Sequence, residues 1–247
     1  MDNGPAVQIV TDHVTIQPPT GGSRALRAAL MRPNGDGPWP GVVMLHEAWG
    51  FDDVLVRQAE RLASAGYLVI VPDLYSDGPK LPCLITTFRS MQAQQGKPFV
   101  DIEAATDFLR DHDECTDKVG VIGFCMGGGF ALLLGARGYD SSAVNYGMLP
   151  VDLDAAVRDS CPVVASFGAR DSGLTGAAER LAGALSRNGV RHDVAEYPTA
   201  GHAFLNDAEN APVALRPLLR VAGAGPDPAA ATHAWQRIEA FFAEHLR

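Results

Sequence analysis

The sequence predicts an α/β protein with a mostly parallel central sheet and helices on both faces. Two observations carry this expectation. Short, continuous apolar runs, among them Gly41-Val-Val-Met-Leu45, Tyr67-Leu-Val-Ile-Val71 and Val163-Val-Ala-Ser-Phe167, have the pattern of strands covered on both sides. Between them lie stretches of helical spacing, and strands alternating with helices build parallel sheets through crossovers. The 247 residues suit one large domain, and residues 1–247 are expected to form one, without internal repeat.

The elements follow in order. Residues 7–17 and 26–32 read as strands around the turn Pro18-Pro-Thr-Gly-Gly22, an antiparallel pair expected at a sheet edge. The strand 41–45 leads into His46-Glu-Ala-Trp-Gly50, and 52–65 is helical up to Gly66. Strand 67–71 exits through Pro72-Asp-Leu-Tyr75. Residues 76–98 read as irregular, with a helix near 87–95, and 101–110 is helical. Strand 119–122 passes through a glycine-rich turn into a small-residue helix, 128–137. Strands at 143–146, 163–167 and 193–197, a helix at 177–188 and a final amphipathic helix at 233–246 complete the pattern. Residues 207–228, rich in proline and glycine, form a long excursion, expected as a flap over a site or as a packed surface loop.

Charge and cysteine content narrow the function. The formal net charge of −9 opposes a nucleic-acid or acidic-membrane partner. The first residues lack a basic start and an apolar signal core, and no run is long enough for a membrane span, so a cytoplasmic protein is expected. Cys83, Cys115, Cys125 and Cys161 have no close metal-type spacing, so free thiols and no metal are expected.

The chemistry centres on Gly123-Phe-Cys-Met-Gly-Gly128. Strand, sharp turn and helix in this order form a nucleophile elbow, with cysteine at the tip. The turn presents the Cys125 sulfur and directs N–H groups at the helix start towards it, where partial positive charge favours a thiolate and an oxyanion. Active groups in such sheets sit at the carboxyl ends of strands. Glu47, Cys125, Asp171 and His202 all do so by this reading. His202 is expected to take the thiol proton and return it to the leaving group, with Asp171 orienting the ring. The N–H groups of Met126 and Ala48 are expected as oxyanion donors. Asp73, Glu196 and Asp207 are alternative acids that fit the order less well. Asp171 alone also suits a helix cap, and Cys125 alone a buried small hydrophobe.

These residues, Gly123-Phe-Cys-Met-Gly-Gly128 with His46-Glu47, Asp171 and Ala200-Gly-His202, resemble the dienelactone hydrolase family. The resemblance runs from about the first sheet strand to the last helix. It implies an α/β-hydrolase core of about eight strands and hydrolysis of a lactone or ester without metal or cofactor. It assigns Cys125 as nucleophile, His202 as base and Asp171 as orienter. It also gives Glu47 a role as acceptor of the resting thiol's hydrogen bond; the alternative is that Glu47 only pairs with a nearby arginine or histidine.

The chain departs from the family at one position. Well-known members carry an arginine four residues after the catalytic histidine, which helps bind a substrate carboxylate; here that position is Asn206. Arg89 is the cation expected to replace it, and Trp49, Tyr75, Tyr146 and Phe204 are expected to line the pocket or to pack in the core. The expected function is a cysteine-dependent hydrolase of the carboxymethylenebutenolidase type, acting through a thioester on a small ester or lactone. The alternatives are a broad carboxylesterase or thioesterase with the same triad, or a non-catalytic ligand-binding protein on this fold. A monomer or homodimer is expected.

Overall fold

The computed structural model describes residues 8–221 and 223–247. Eight strands form one sheet: β1 (Ile9–Ile16), β2 (Leu26–Pro33), β3 (Trp39–Leu45), β4 (Leu68–Pro72), β5 (Cys115–Phe124), β6 (Ser141–Asn145), β7 (Val163–Gly168) and β8 (His192–Tyr197). Their order is β1-β2-β4-β3-β5-β6-β7-β8. β1 pairs antiparallel with β2, and β2 antiparallel with β4; all the other pairs are parallel. The expected edge hairpin is therefore present; its expected first residue, Val7, lies outside the described residues.

The helices are α1 (Asp53–Ser64), α2 (Lys80–Ala93), α3 (Lys97–Arg110), α4 (Met126–Leu134), α5 (Leu153–Val157), α6 (Ala177–Arg187), α7 (Arg216–Val221) and α8 (Pro228–Leu246). Alternation along each strand divides the core between the two faces of the sheet. Val43 and Leu45 of β3 pack on one side with α3, α4 and α6, through Ile102, Phe130 and Leu181. Val42 and Met44 pack on the other with α1 and α8, through Leu62, Ile238 and Phe242.

Several stretches differ from the expectation; α5 has no counterpart in it, and β5 begins earlier than expected, at Cys115. Residues 76–98 hold the whole of α2 and the start of α3. Of α2 only Thr87 and Met91 are buried, and Leu81 and Ile85 face outward, so its sequence has no clear apolar stripe. The last helix begins at Pro228, capped by the Asp227 carboxylate accepting from the Ala230 N–H at 3.1 Å, which shortens the excursion. Within the excursion lies α7. Among the described residues, no helix is long and apolar enough to cross a membrane.

Candidate active site

Cys125 stands between the last residue of β5 and the first of α4, with φ 53° and ψ −114°. This left-handed backbone is costly for a residue with a Cβ, and it is held by the buried residues on either side of it in the chain, Phe124 and Met126. A Cβ on Gly123 would collide with the Gly127 carbonyl, and one on Gly127 with the carbonyl of Leu45 at the end of β3. Glycine at both positions lets β3, β5 and α4 close on the turn. The Cys125 N–H donates to the Asn145 carbonyl of β6 at 3.0 Å, which fixes the tip. Met126, as the first residue of α4, has an N–H with no intrahelical acceptor.

Asp171 follows β7 and His202 follows β8. The Nδ1 atom of His202 lies 2.5 Å from Oδ2 of Asp171. The other carboxylate oxygen, Oδ1, accepts from the Gly173 N–H at 3.1 Å and caps the short 3₁₀ turn Ser172–Leu174. The cap and the histidine contact thus coexist in one side chain. Burial alone would lower the His202 pKa; the hydrogen bond with Asp171 and the adjoining Cys125 sulfur outweigh it and bring it up to about 11. The His202 carbonyl in turn accepts from the Gly225 N–H at 2.8 Å, so the returning excursion braces the histidine loop.

Glu47, at the exit of β3, is 6% exposed and, among the described residues, its hydrogen-bond donors are all neutral. It accepts from the Tyr146 hydroxyl at 3.1 Å, from the Asn206 amide at 3.3 Å and from the Asn210 amide at 2.8 Å. Burial raises its pKa, and these neutral donors and the nearby His202 only partly offset that. Asn210 donates also to Asp52 Oδ2 at 3.0 Å, and Asp52 caps α1 through its other oxygen. Asn206 is held from behind by the Gln58 amide at 3.0 Å.

A cavity of about 130 Å³ opens over Cys125 and His202. Glu47, Ala48, Trp49 and Asn206 line it, and much of its wall is the excursion, including Glu209, Asn210, Arg216 and Leu219. The other expected pocket residues are placed elsewhere. Tyr146 is fully buried and touches the site through its hydroxyl on Glu47 and an edge-on contact with His202, the ring centres 5.1 Å apart. Tyr75 is buried behind the cavity, its hydroxyl donating to the Ala48 carbonyl at 3.0 Å. Phe204 packs in the core between Tyr146 and Tyr197. Arg89 lies on the exposed face of α2 and does not line the cavity.

Among the residues at the site that were not expected from the sequence are Gln58, Asn210 and Arg216. Gln58 sits on an otherwise apolar helical face, and the other two lie where no periodicity guides the eye. Among the described residues, no three His, Cys, Asp or Glu side chains group as ligands for a metal ion.

Comparison with known proteins agrees with this architecture. The model of the dienelactone hydrolase family matches residues 26–246. A Saccharolobus solfataricus protein named "Putative carboxymethylenebutenolidase" is 24% identical over 254 residues, covering 87% of this chain and 93% of its own. The "Protein usf" of Aquifex pyrophilus is 28% identical over 222 residues, covering 84% and 89%. A Klebsiella pneumoniae crystal structure titled "Putative Dienelactone Hydrolase" superposes with a TM-score of 0.79 at 25% identity, covering 96% of this chain and 99% of that one.

Proposed function

The chain belongs to the dienelactone hydrolase family and is a hydrolase acting on ester bonds; from that premise we propose that Cys125, His202 and Asp171 open a lactone or small ester through a thioester intermediate. The observation that carries this reading is the 2.5 Å contact of His202 with Asp171 beside the strained Cys125 turn. His202, its ring held by Asp171, takes the proton of the Cys125 thiol as the sulfur attacks. The sulfur adds to the carbonyl carbon and the carbonyl π pair moves onto oxygen. The N–H groups of Met126 and Ala48 receive that oxyanion. As the ester C–O bond breaks, His202 gives its proton to the leaving oxygen. The neutral imidazole then takes a proton from water, the hydroxide cleaves the thioester, and the thiolate departs.

The same reading extends to substrate choice. Arg216 takes the place that Arg89 was expected to fill, as the cation in the cavity wall. One N–H of its guanidinium, Nε, donates to the Ala211 carbonyl at 2.8 Å, which leaves its terminal nitrogens for a substrate anion. Asn206, in place of an arginine, serves the Glu47 cluster instead. A lactone or ester that carries a carboxylate is therefore the favoured substrate, and the protein is a carboxymethylenebutenolidase-type enzyme.

The test is a panel of cis- and trans-dienelactone, p-nitrophenyl acetate and an acyl thioester, with wild type and Cys125→Ser. Dienelactone turnover that collapses in the variant supports both mechanism and substrate class. Turnover of simple esters or thioesters alone keeps the triad and moves the enzyme to the broader esterase class. No turnover of any of them supports a ligand-binding protein on this fold.

A further inference from the structure

The loop after β3 contains a brace that the reaction above leaves unused. His46 is fully buried, between the exit of β3 and the exit of β4. Its Nε2 lies 3.2 Å from the backbone N–H of Leu74. A backbone N–H can only donate, so Nε2 accepts and the ring proton sits on Nδ1. Nδ1 lies 2.7 Å from the Glu47 carbonyl oxygen and so donates to it. The Gly50 N–H donates to the same oxygen at 3.0 Å.

That doubly held carbonyl belongs to the peptide whose N–H is that of Ala48. In a planar trans peptide the N–H and C=O point in opposite directions, so fixing the oxygen aims the N–H. The next peptide is held too, because the Tyr75 hydroxyl donates to the Ala48 carbonyl. The Tyr75 ring meets His46 edge-on at 4.8 Å. Gly50 makes room for this arrangement: its φ is +83°, and a Cβ there would stand 2.9 Å from the Tyr75 ring.

We infer that His46 is a positioning residue, which holds the Ala48 N–H as the second oxyanion donor by tying the exit of β3 to the exit of β4 through its Nδ1–H tautomer. This rests on the reading of the site given above. A histidine that merely fills the core would stabilise the fold without bearing on the transition state.

Two replacements separate the roles. In His46→Asn the amide nitrogen can stand where Nδ1 stood and keep the bond to the Glu47 carbonyl. In His46→Gln the amide oxygen can stand where Nε2 stood and keep only the bond from Leu74. Turnover of p-nitrophenyl acetate is measured on the folded fraction isolated by gel filtration and checked by circular dichroism, so that unfolded protein is not counted. Inhibition by a trifluoromethyl ketone is measured in parallel. Its carbonyl carbon bonds to the Cys125 sulfur and its π pair becomes an oxyanion in the same hole.

Complete loss of one oxyanion donor costs about 10² to 10³ in kcat, so misaiming one by His46→Gln is expected to cost about 10- to 100-fold, with KM within about twofold. The ketone's inhibition constant should rise by the same factor, and His46→Asn should recover most of both. Full activity in folded His46→Gln, a His46→Asn no better than it, or a fall in kcat without weaker ketone binding overturns the inference. Nitrogen NMR of wild type checks it without any variant: an Nε2–H tautomer at His46 overturns it. Turnover that survives in Cys125→Ala counts against the reading of the site. Turnover lost there but kept in His46→Gln counts against His46 alone.

Discussion

Asp171 divides its carboxylate between two tasks: Oδ2 meets Nδ1 of His202 at 2.5 Å, while Oδ1 accepts from the Gly173 N–H and caps the turn that follows. The acid is thereby fixed before it orients the histidine. Asp171→Asn retains a cap oxygen but offers an amide to His202 and favours the wrong tautomer. It is expected to lower kcat by about 10³- to 10⁴-fold with little change in melting temperature. Activity near wild type would show that another acid, such as Asp207, serves His202; but Asp207 faces outward and pairs with Arg57.

The raised His202 pKa predicts a pH dependence of stability. The group rises from 6.5 to about 11 on folding, because the Asp171 hydrogen bond and the Cys125 sulfur outweigh burial. A raised pKa means that the folded state binds the proton more tightly. The stability from this group is therefore complete below pH 6.5 and is lost as pH rises towards 11. Urea unfolding of wild type and His202→Gln across that range should show the difference between them shrinking with rising pH. A difference that grows with pH would contradict the assignment.

Arg216→Gln tests the anionic end of the cavity. A charged hydrogen bond to a substrate carboxylate is worth about 1.5 to 3 kcal/mol, so KM for a dienelactone should rise about 10- to 100-fold. KM for p-nitrophenyl acetate, which has no carboxylate, should stay within about twofold. Equal effects on the two substrates would remove Arg216 from substrate recognition.

Asn210 fastens the excursion to the sheet, donating to both Glu47 and Asp52. Asn210→Ala leaves the buried Glu47 carboxylate with fewer donors and should cost about 1 to 3 kcal/mol in urea unfolding. Proteolysis under native conditions should become faster near residues 207–227 than elsewhere. Uniformly unchanged stability and cleavage would show that the excursion is held by its other contacts.

The parts of this molecule that local pattern determines were legible from sequence. Continuous apolar runs located the strands, and the glycines at 123 and 127 located the sharp turn, because only glycine can sit so close to a neighbouring carbonyl. Asp171 and His202 could be paired from sequence because each follows a strand, and strand exits converge at one end of a parallel sheet. What depends on irregular backbone was not legible. Asn210 and Arg216 reach the cavity through an excursion whose path no periodicity encodes. Arg89, in a stretch that reads as irregular, faces solvent because α2 turns it away. The composition of residues 207–228 suits a flap and a packed surface loop equally; their described part lines the cavity and is hydrogen-bonded to Glu47, Asp52 and His202. His46 was read with the loop, but its two ring contacts depend on the distance between two strand exits, which sequence does not give.

The most direct test of the account is to quench p-nitrophenyl acetate turnover in acid and locate the acetyl group by peptide mass spectrometry, in wild type and in Cys125→Ala. The account predicts an acetyl thioester on the Cys125 peptide that forms and decays with turnover, and neither adduct nor turnover in a folded Cys125→Ala. Turnover retained in that variant, or an acetyl intermediate on another residue, would contradict it.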